Sequence, residues 1–492
     1  MKQKDKAEER AEQNLARLFN TWAGTDPTNV VRLPQSGSNR AYYRLSAADG
    51  RTAIGVWGEN KRENAAFLSF SRSLKGAGIN VPEIYAENTE QLVYLQQDLG
   101  STSLYDIICA ERKAQGNNRY SPKLKEIYKK VLSQLVDIQT KGRNCIDFSL
   151  CYPRDAFDRQ SMMWDLQYFK YYFLKLAGIA FDEELLEKDF DTFIEYLCQA
   201  NGKYFLYRDM QSRNIMVSED GTPWFIDYQG GRRGARQYDV ASLLYDAKAD
   251  MPNNVRNELL GYYVSRLREN EVGAFIRYFY GFCLIRIMQA MGAYGYRGYF
   301  ERKEHFLKSI PFALSNLQDI VQHHALDIDI PELKRVWQSI ITNEKLQQIG
   351  NGGPLTVRVS SFSYKHGIPV DPSGNGGGFV FDCRALPNPG REERYRKSTG
   401  RDADVVEYFA QPDREREMTE FISAAQQMVG QSIATYTKRG FTNLMVSFGC
   451  TGGQHRSVFC AEALARWIKE RFTNVVVDLK HHEEPWGLDK QK

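Results

Sequence analysis

The chain has 492 residues, with 65 Lys and Arg against 61 Asp and Glu and a formal net charge of +4 at pH 7. That length exceeds what one hydrophobic core organises, so two domains are expected, and the near balance of charge excludes a polyanion-binding surface built on bulk charge, leaving RNA to a local patch at most. The eight cysteines lack paired CxxC spacing, no apolar run reaches membrane-spanning length, and the start MKQKDKAEERAEQ lacks a signal-peptide core; a cytoplasmic protein with reduced thiols and no membrane partner is expected.

Residues 6–22 place Leu15, Leu18, Phe19 and Trp22 on one helical face, which packs against a sheet. Residues 29–33, 41–45 and 52–57 read as strands, the last two joined across Asp49-Gly50. Between the first two lies Pro34-Gln35-Ser36-Gly37-Ser38-Asn39-Arg40. Such a loop of small residues either lets backbone N–H groups approach nucleotide phosphates or is an ordinary hairpin turn, and one glycine does not separate the two. A helix over 61–75 carries Glu63 in its first turn, and strands over 81–86 and 91–97 complete a small antiparallel lobe. Residues 96–100 read as a hinge into a second, helical lobe.

From 103 to 200 the pattern is mostly helical. Its aromatic-rich part, 155–176, holds Trp164, Tyr168, Phe169, Tyr171, Tyr172 and Phe173. Rings at helical spacing pack inward by default. Trp164 and Tyr168, near Asp158, Arg159 and Asp165, have the alternative of offering a ring to a sugar face.

The chemistry concentrates between 204 and 231. A strand, Phe205 to Tyr207, delivers Arg208 and Asp209; Asn214 follows five residues later; residues 215–217 and 224–226 flank the turn Glu219-Asp220-Gly221-Thr222 as a hairpin, which returns Asp227 to the side of Asn214. Phosphoryl transfer needs such a set: a carboxylate to orient or deprotonate the attacking hydroxyl, and an amide with a second carboxylate to hold Mg²⁺ on the nucleotide phosphates. Asp239, where a helix opens over 236–246, is equally a helix cap or a residue that supports the site. Residues 252–345 are again helical, with His323 and His324 on a polar face.

On YRDMQSRN, FIDYQGG and QYDVASLLYD, residues from about 10 to 340 resemble the aminoglycoside phosphotransferase family, whose fold is kinase-like, and within it the anomeric N-acetylmuramate/N-acetylglucosamine 1-kinases. The resemblance implies ATP and Mg²⁺, a sugar acceptor, Asp209 as the base or hydroxyl-orienting residue, and Asn214 and Asp227 as metal ligands. It places nucleotide contacts at Ser36, Gly37, Ser38, Arg44 and Glu63. The sequence departs from the family at two positions: residue 208 is Arg where many relatives have Gly, and the strand over 52–57 has no lysine to grip phosphates. That charge then falls to Arg44, Lys61 or Arg62, or to the metal alone.

Asn351-Gly352-Gly353-Pro354 has the composition of a boundary. Beyond it, strands over 356–364, 378–386, 444–448 and 474–479 alternate with helices over 414–438 and 454–471, an α/β pattern. Gly449-Cys450-Thr451-Gly452-Gly453-Gln454-His455-Arg456-Ser457 joins an apolar strand to a helix. Small residues let this loop curl, and a helix N-terminus with an adjacent guanidinium forms a phosphate cradle. Cys450 and Arg456 also have the spacing of cysteine-dependent phosphatases; phosphate binding without chemistry and thiolate catalysis are the two readings.

Residues from about 355 to 482 resemble the C-terminal domain of the RNase adapter protein RapZ on SFSYKHGIPVD, FVFDCRALPNPG, TGRDADVVEYF and GCTGGQHRSVFCAE. In that family the domain binds glucosamine 6-phosphate and takes part in small-RNA binding and oligomerisation. The resemblance implies a hexosamine-phosphate site at His366, Thr451, Gly452, His455, Arg456 and Ser457, with Cys450, Gly453, Asp382 and Arg384 beside it, and a homo-oligomer formed through this domain. The nucleotide-binding domain of RapZ is replaced here by the kinase-like one, and the end HHEEPWGLDKQK lacks a basic tail, which disfavours RNA. The expected architecture is an α+β protein-kinase-like bilobal domain over 1–345, a linker over 346–354 and a smaller α/β domain over 355–492. Two functions remain open: a sugar kinase with a fused phosphosugar sensor, or an adaptor for RNA or protein with the kinase fold as scaffold.

Overall fold

The computed structural model describes residues 2–34, 40–115, 120–301, 303–349, 355–371, 378–439 and 441–484. The chain divides into two compact units, Met1–Leu346 and Gln347–Lys492.

The first unit opens with the helix Lys2–Ala23. Its stripe of Ala11, Leu15 and Phe19 is buried with Tyr43, Leu45, Ala53 and Leu95 of a sheet. Strands β1 (Asn29–Arg32), β2 (Ala41–Ser46), β3 (Thr52–Trp57), β4 (Ile84–Asn88) and β5 (Val93–Gln97) form that sheet, antiparallel throughout, in the order β1-β2-β3-β5-β4. Because side chains alternate along a strand, burial of Ala41, Tyr43 and Leu45 under the first helix turns Arg40, Tyr42 and Arg44 to the other face. β4 starts three residues later than 81, since Pro82 has no N–H for a ladder. The helix Lys61–Gly76 is capped by Asn60, whose Oδ1 accepts from the Arg62 and Glu63 N–H groups at 3.1 and 3.2 Å.

The second lobe is helical. Its central helix, Glu269–Gly295, is apolar almost all round, as a helix enclosed by others must be. It packs against Arg159–Phe169 and the π-helical turn Lys170–Leu174. The approach is close enough that a Cβ on Gly295 would lie 1.9 Å from the Tyr172 carbonyl oxygen. A Gly295→Ala chain therefore gains about 1 kcal/mol in helix propensity but must move backbone, and overpacking of that kind costs about 3 kcal/mol. Thermal melts of Gly295→Ala and of Gly261→Ala, whose added Cβ meets nothing within 4 Å, should differ in sign: a fall of several degrees for the first, no fall for the second.

Between the lobes lie two short antiparallel pairs, β6 (Tyr204–Leu206) with β9 (Arg232–Gly234), and β7 (Ile215–Val217) with β8 (Pro223–Phe225). The expected hairpin forms with its second strand one residue early. β9 was not expected, because Arg232-Arg233-Gly234 has no apolar alternation.

The second unit carries a four-stranded parallel sheet of β10 (Leu355–Ser363), β11 (Phe379–Asp382), β12 (Asn443–Cys450) and β13 (Val475–His481), in the order β11-β12-β10-β13. Val357, Val359, Val446 and Phe448 bury their side chains with Val429 and Ile433 of the helix Pro412–Arg439 and Leu464 and Ile468 of Arg456–Arg471. β11 is shorter than the 378–386 expected: the Asp382 carboxylate takes the Arg384 N–H at 2.9 Å and turns the chain into a 3-10 turn. The helix Ala403–Phe409 is an addition to the elements expected. No helix among the described residues is long and apolar enough to cross a membrane.

Candidate active site

β6 runs straight into Tyr207, Arg208 and Asp209. The backbone there is fixed from below by Asp239, fully buried in the helix Gln237–Leu244, whose two carboxylate oxygens accept the Tyr207 N–H at 2.8 Å and the Arg208 N–H at 3.0 Å. Of the two sequence readings, this is the supporting one: the helix has no side-chain cap. Burial pushes the Asp239 carboxyl up to about 7, against the pull of those N–H groups. Asp246 holds the far end of the loop, accepting the Ser212 N–H at 3.1 Å and its hydroxyl at 2.7 Å.

Between these anchors the chemistry-bearing groups meet. The Asn214 amide donates to the Asp209 carbonyl at 2.8 Å and to Asp227 Oδ2 at 3.2 Å, while Gln229 Nε2 holds Asp227 Oδ1 at 2.8 Å. Arg208 and Asp227 both sit at positive φ, 82° and 71°. Such a backbone costs about 1–3 kcal/mol per residue and is held by the surrounding bonds. Burial, and then the negative charge of Asp209, raise the proton affinity of Asp227. Two carboxylates sharing a small volume are relieved by a divalent cation. An amide oxygen with one carboxylate is also the hard, sparse ligand set Mg²⁺ accepts when phosphates and water complete its shell; among the described residues no cluster of three His, Cys, Asp or Glu offers an alternative. Asn214 and Asp227 would hold such a metal, which would supply positive charge to neutralise nucleotide phosphates there.

On the nucleotide side, Ser36, Gly37 and Ser38 lie outside the described residues. Arg44, expected toward phosphate, gives its fork to the hinge: Nε to Asp98 Oδ2 at 2.7 Å, Nη2 to Asp98 Oδ1 at 3.0 Å and to the Gly100 carbonyl at 2.9 Å. Lys61 and Arg62 are exposed, Arg62 lying over the Tyr152 ring. The cation at Glu63 is Arg40, which the sequence reading passed over: Nη2 is 3.4 Å from Glu63 Oε1, the side chain is 4 % exposed, and the guanidinium lies 5.4 Å from the Phe67 ring centre. The alternation Arg40, Tyr42, Arg44 is the signal that finds it. Phe67 in turn stacks on Tyr228 at 5.0 Å, and the Ser71 and Tyr228 hydroxyls are 2.6 Å apart.

On the other side of Asp209, Arg208 Nη2 meets both oxygens of Asp165 at 2.7 and 2.8 Å and lies over Phe157 and Tyr238. Phe169 and Phe173 are core, as rings at helical spacing usually are; Tyr168 packs on Tyr172; Trp164 is 47 % exposed with Arg154 over its ring.

In the second unit the C-terminal ends of β10, β11 and β12 bring the other predicted residues together. The Ser363 hydroxyl donates to the Thr451 carbonyl at 2.8 Å, and Cys450 Sγ is 3.1 Å from the Ser457 hydroxyl in a buried pair. His366 Nδ1 pairs with Glu483 at 2.8 Å, and the same carboxylate accepts the Ser363 N–H at 3.3 Å, so Glu483, unforeseen in the sequence, walls the cradle beside Gly453. His455 Nε2 contacts the Tyr395 carbonyl at 2.8 Å, and Asp382 holds the Arg384 fork at 2.7 Å. Arg456 differs from expectation: it is 5 % exposed and its Nη1 donates to the Arg384 and Leu386 carbonyls at 2.8 and 3.3 Å. It braces the wall of the cradle as a buried strut.

A small antiparallel lobe hinged to a helical lobe, with Asp209, Asn214 and Asp227 assembled between the two, is a kinase-type phosphotransferase architecture. Residues 29–273 match the family model of the phosphotransferase enzyme family, and residues 355–484 that of the RapZ C-terminal domain. Among curated proteins, a nucleotide-binding protein of Chromobacterium violaceum is 40% identical over 121 residues, 25% of this chain and 40% of that protein, so the match spans well under two thirds of the relative. Similar solved structures include an amicoumacin kinase in complex with AMP-PNP and Ca²⁺ (TM-score 0.46, 13% identity, 67% of this chain and 99% of that chain). Another is a choline kinase from Cryptosporidium parvum (TM-score 0.45, 13% identity, 66% and 98%).

Proposed function

We propose that the protein is an ATP- and Mg²⁺-dependent kinase that phosphorylates a sugar hydroxyl, with the anomeric hydroxyl of an N-acetylated cell-wall amino sugar, N-acetylmuramate or N-acetylglucosamine, as acceptor. The observation that carries this reading is the meeting of Asp209 with Asn214 and Asp227 on a loop anchored by Asp239 and Asp246. Asp209 orients the acceptor hydroxyl and takes its proton; the amide and second carboxylate hold the metal; Asp239 keeps the loop in register. A polycationic acceptor would need free carboxylates, whereas Asp165, beside the catalytic loop, is neutralised by Arg208. The exposed Trp164 offers a ring suited to a sugar face. The second unit, in this reading, binds a hexosamine phosphate such as glucosamine 6-phosphate in the cradle at Thr451 to Ser457 and reports its abundance to the kinase.

The test is ATP turnover on neutral hexoses, N-acetylhexosamines, muramic acid derivatives and aminoglycosides, with the product resolved by phosphorus NMR. A sugar 1-phosphate is expected; a 6-phosphate, or turnover on aminoglycosides alone, overturns the acceptor assignment. Glucosamine 6-phosphate at saturation should change the kinase rate, and the exposed His366→Ala should weaken that response. Binding without any kinetic effect removes the sensing role and leaves the kinase assignment standing.

A further inference from the structure

We infer that Arg40, at the leading edge of β2, is the cation that meets the nucleotide phosphates, a position the lysine-free β3 leaves vacant; the inference rests on the kinase reading above. β3 turns Ala53, Gly55 and Trp57 to the first helix and only Ile54 and Val56 to the face that carries Tyr42 and Arg44, neither of them basic. A guanidinium buried as deeply as that of Arg40 is retained only with anionic or hydrogen-bonding partners, because an isolated charge is costly in a low dielectric. Its partners map a direction. Glu63 lies 3.4 Å away on the helix Lys61–Gly76, the Tyr94 hydroxyl lies 3.5 Å from Nη1, and the Phe67 ring supports the guanidinium plane. The same Phe67 ring stacks at 5.0 Å on Tyr228, the residue that follows Asp227. The guanidinium therefore shares one aromatic stack with the turn that carries Asp227. Phosphates held at Asn214 and Asp227 would occupy the interval between that turn and the guanidinium.

Arginine suits a site one residue before the strand. Its planar fork has the reach and the paired donors to serve Glu63 and a phosphate oxygen together, and stacking on Phe67 fixes its plane in advance. Register supplies an internal check. Val56 pairs with Tyr42 on one side and Tyr94 on the other, and both tyrosines neighbour Arg40. A lysine at position 56 would deliver its ammonium to the same interval from β3.

The experiment titrates full-length protein with ATP and, separately, with adenosine, by calorimetry. Charge-assisted hydrogen bonds of this kind predict that Arg40→Ala binds ATP about 10–100-fold more weakly, with Arg40→Lys in between. Adenosine, which has no phosphate, should bind wild type and Arg40→Ala alike. Recovery of ATP affinity in Arg40→Ala/Val56→Lys supports the assignment further. ATP affinity unchanged in Arg40→Ala overturns it while the kinase reading stands, as does an equal loss of ATP and adenosine affinity, which marks Arg40 as a strut of the lobe. Wild-type protein that binds neither ligand overturns this inference and the kinase reading together.

Discussion

Asp209→Asn lowers kcat about a thousandfold while the Kd for ATP stays within about twofold, as judged by steady-state rates and calorimetry on the same preparation. The substitution keeps volume and the backbone bonds from Gln211 and Asn214 to the residue 209 carbonyl, 2.9 and 2.8 Å, because these go to the main chain. In the proposed reaction it removes the acceptor for the hydroxyl proton, and general bases contribute about 10²–10⁴ in rate. Asp227→Asn should behave differently. It removes a proposed metal ligand and one of two adjacent carboxylates, so its activity should depend on much higher Mg²⁺ while the rate at saturating metal falls less. If Asp209→Asn keeps a rate within tenfold of wild type, another group takes the proton and the assignment fails.

Asp239→Ala should be more damaging to the fold than its distance from the phosphates suggests. Two buried N–H groups, of Tyr207 and Arg208, lose their acceptor at once. Each unsatisfied buried donor costs about 1–3 kcal/mol, and a loop that swings to find water takes Asp209 with it. A lower melting temperature and a fall in kcat are expected together. Asp239→Asn keeps one of the two acceptors and leaves a group that does not titrate. The wild-type carboxyl titrates near 7 in the folded protein, above its unfolded value of 3.8, so the folded state holds the proton to higher pH. The stability tied to this group is full below pH 4 and is lost as pH rises toward 7, by at most about 1.4 kcal/mol per pH unit. Melting temperatures taken between pH 5 and 8 should fall more steeply for wild type than for Asp239→Asn; parallel curves would show that Asp239 does not titrate there.

Which parts of this are legible in sequence follows from how local each is. The Asp209–Asn214 spacing, the hairpin and the β-strand before the Gly449–Ser457 loop lie within short windows, where turn chemistry and alternation decide the geometry. The small antiparallel lobe, the helical lobe and the separate α/β unit follow from the same patterns repeated, while the kinase-like class comes from the resemblance carried by YRDMQSRN, FIDYQGG and QYDVASLLYD. Arg40, Asp239 and Glu483 are different: each acts on a residue at least 23 positions away, so its role depends on strand register or helix packing that no window contains. Glu63 is found with its partner unrecognised for that reason. Arg44 and Arg456 show the converse: each lies near a loop read as phosphate-binding, and in the fold Asp98 and the Gly100 carbonyl hold Arg44 while the Arg384 and Leu386 carbonyls hold Arg456, partners that no local pattern names. β9, three residues without a hydrophobic pattern, exists because β6 pairs with it.

The stack of Phe67 on Tyr228, with the Ser71 hydroxyl against that of Tyr228, makes the helix Lys61–Gly76 and the metal-ligand turn one mechanical part. Glu63 stands on the first turn of that helix, with Arg40 reaching it from the edge of β2, and Asp227 directly precedes Tyr228 on the other side of the stack. A rotation that withdraws the helix must drag the Asp227 carboxylate with it or break a buried stack. Helix and turn are thus coupled as a geared clutch in place of two independent latches, and Phe67 and Ser71 set how stiffly it engages.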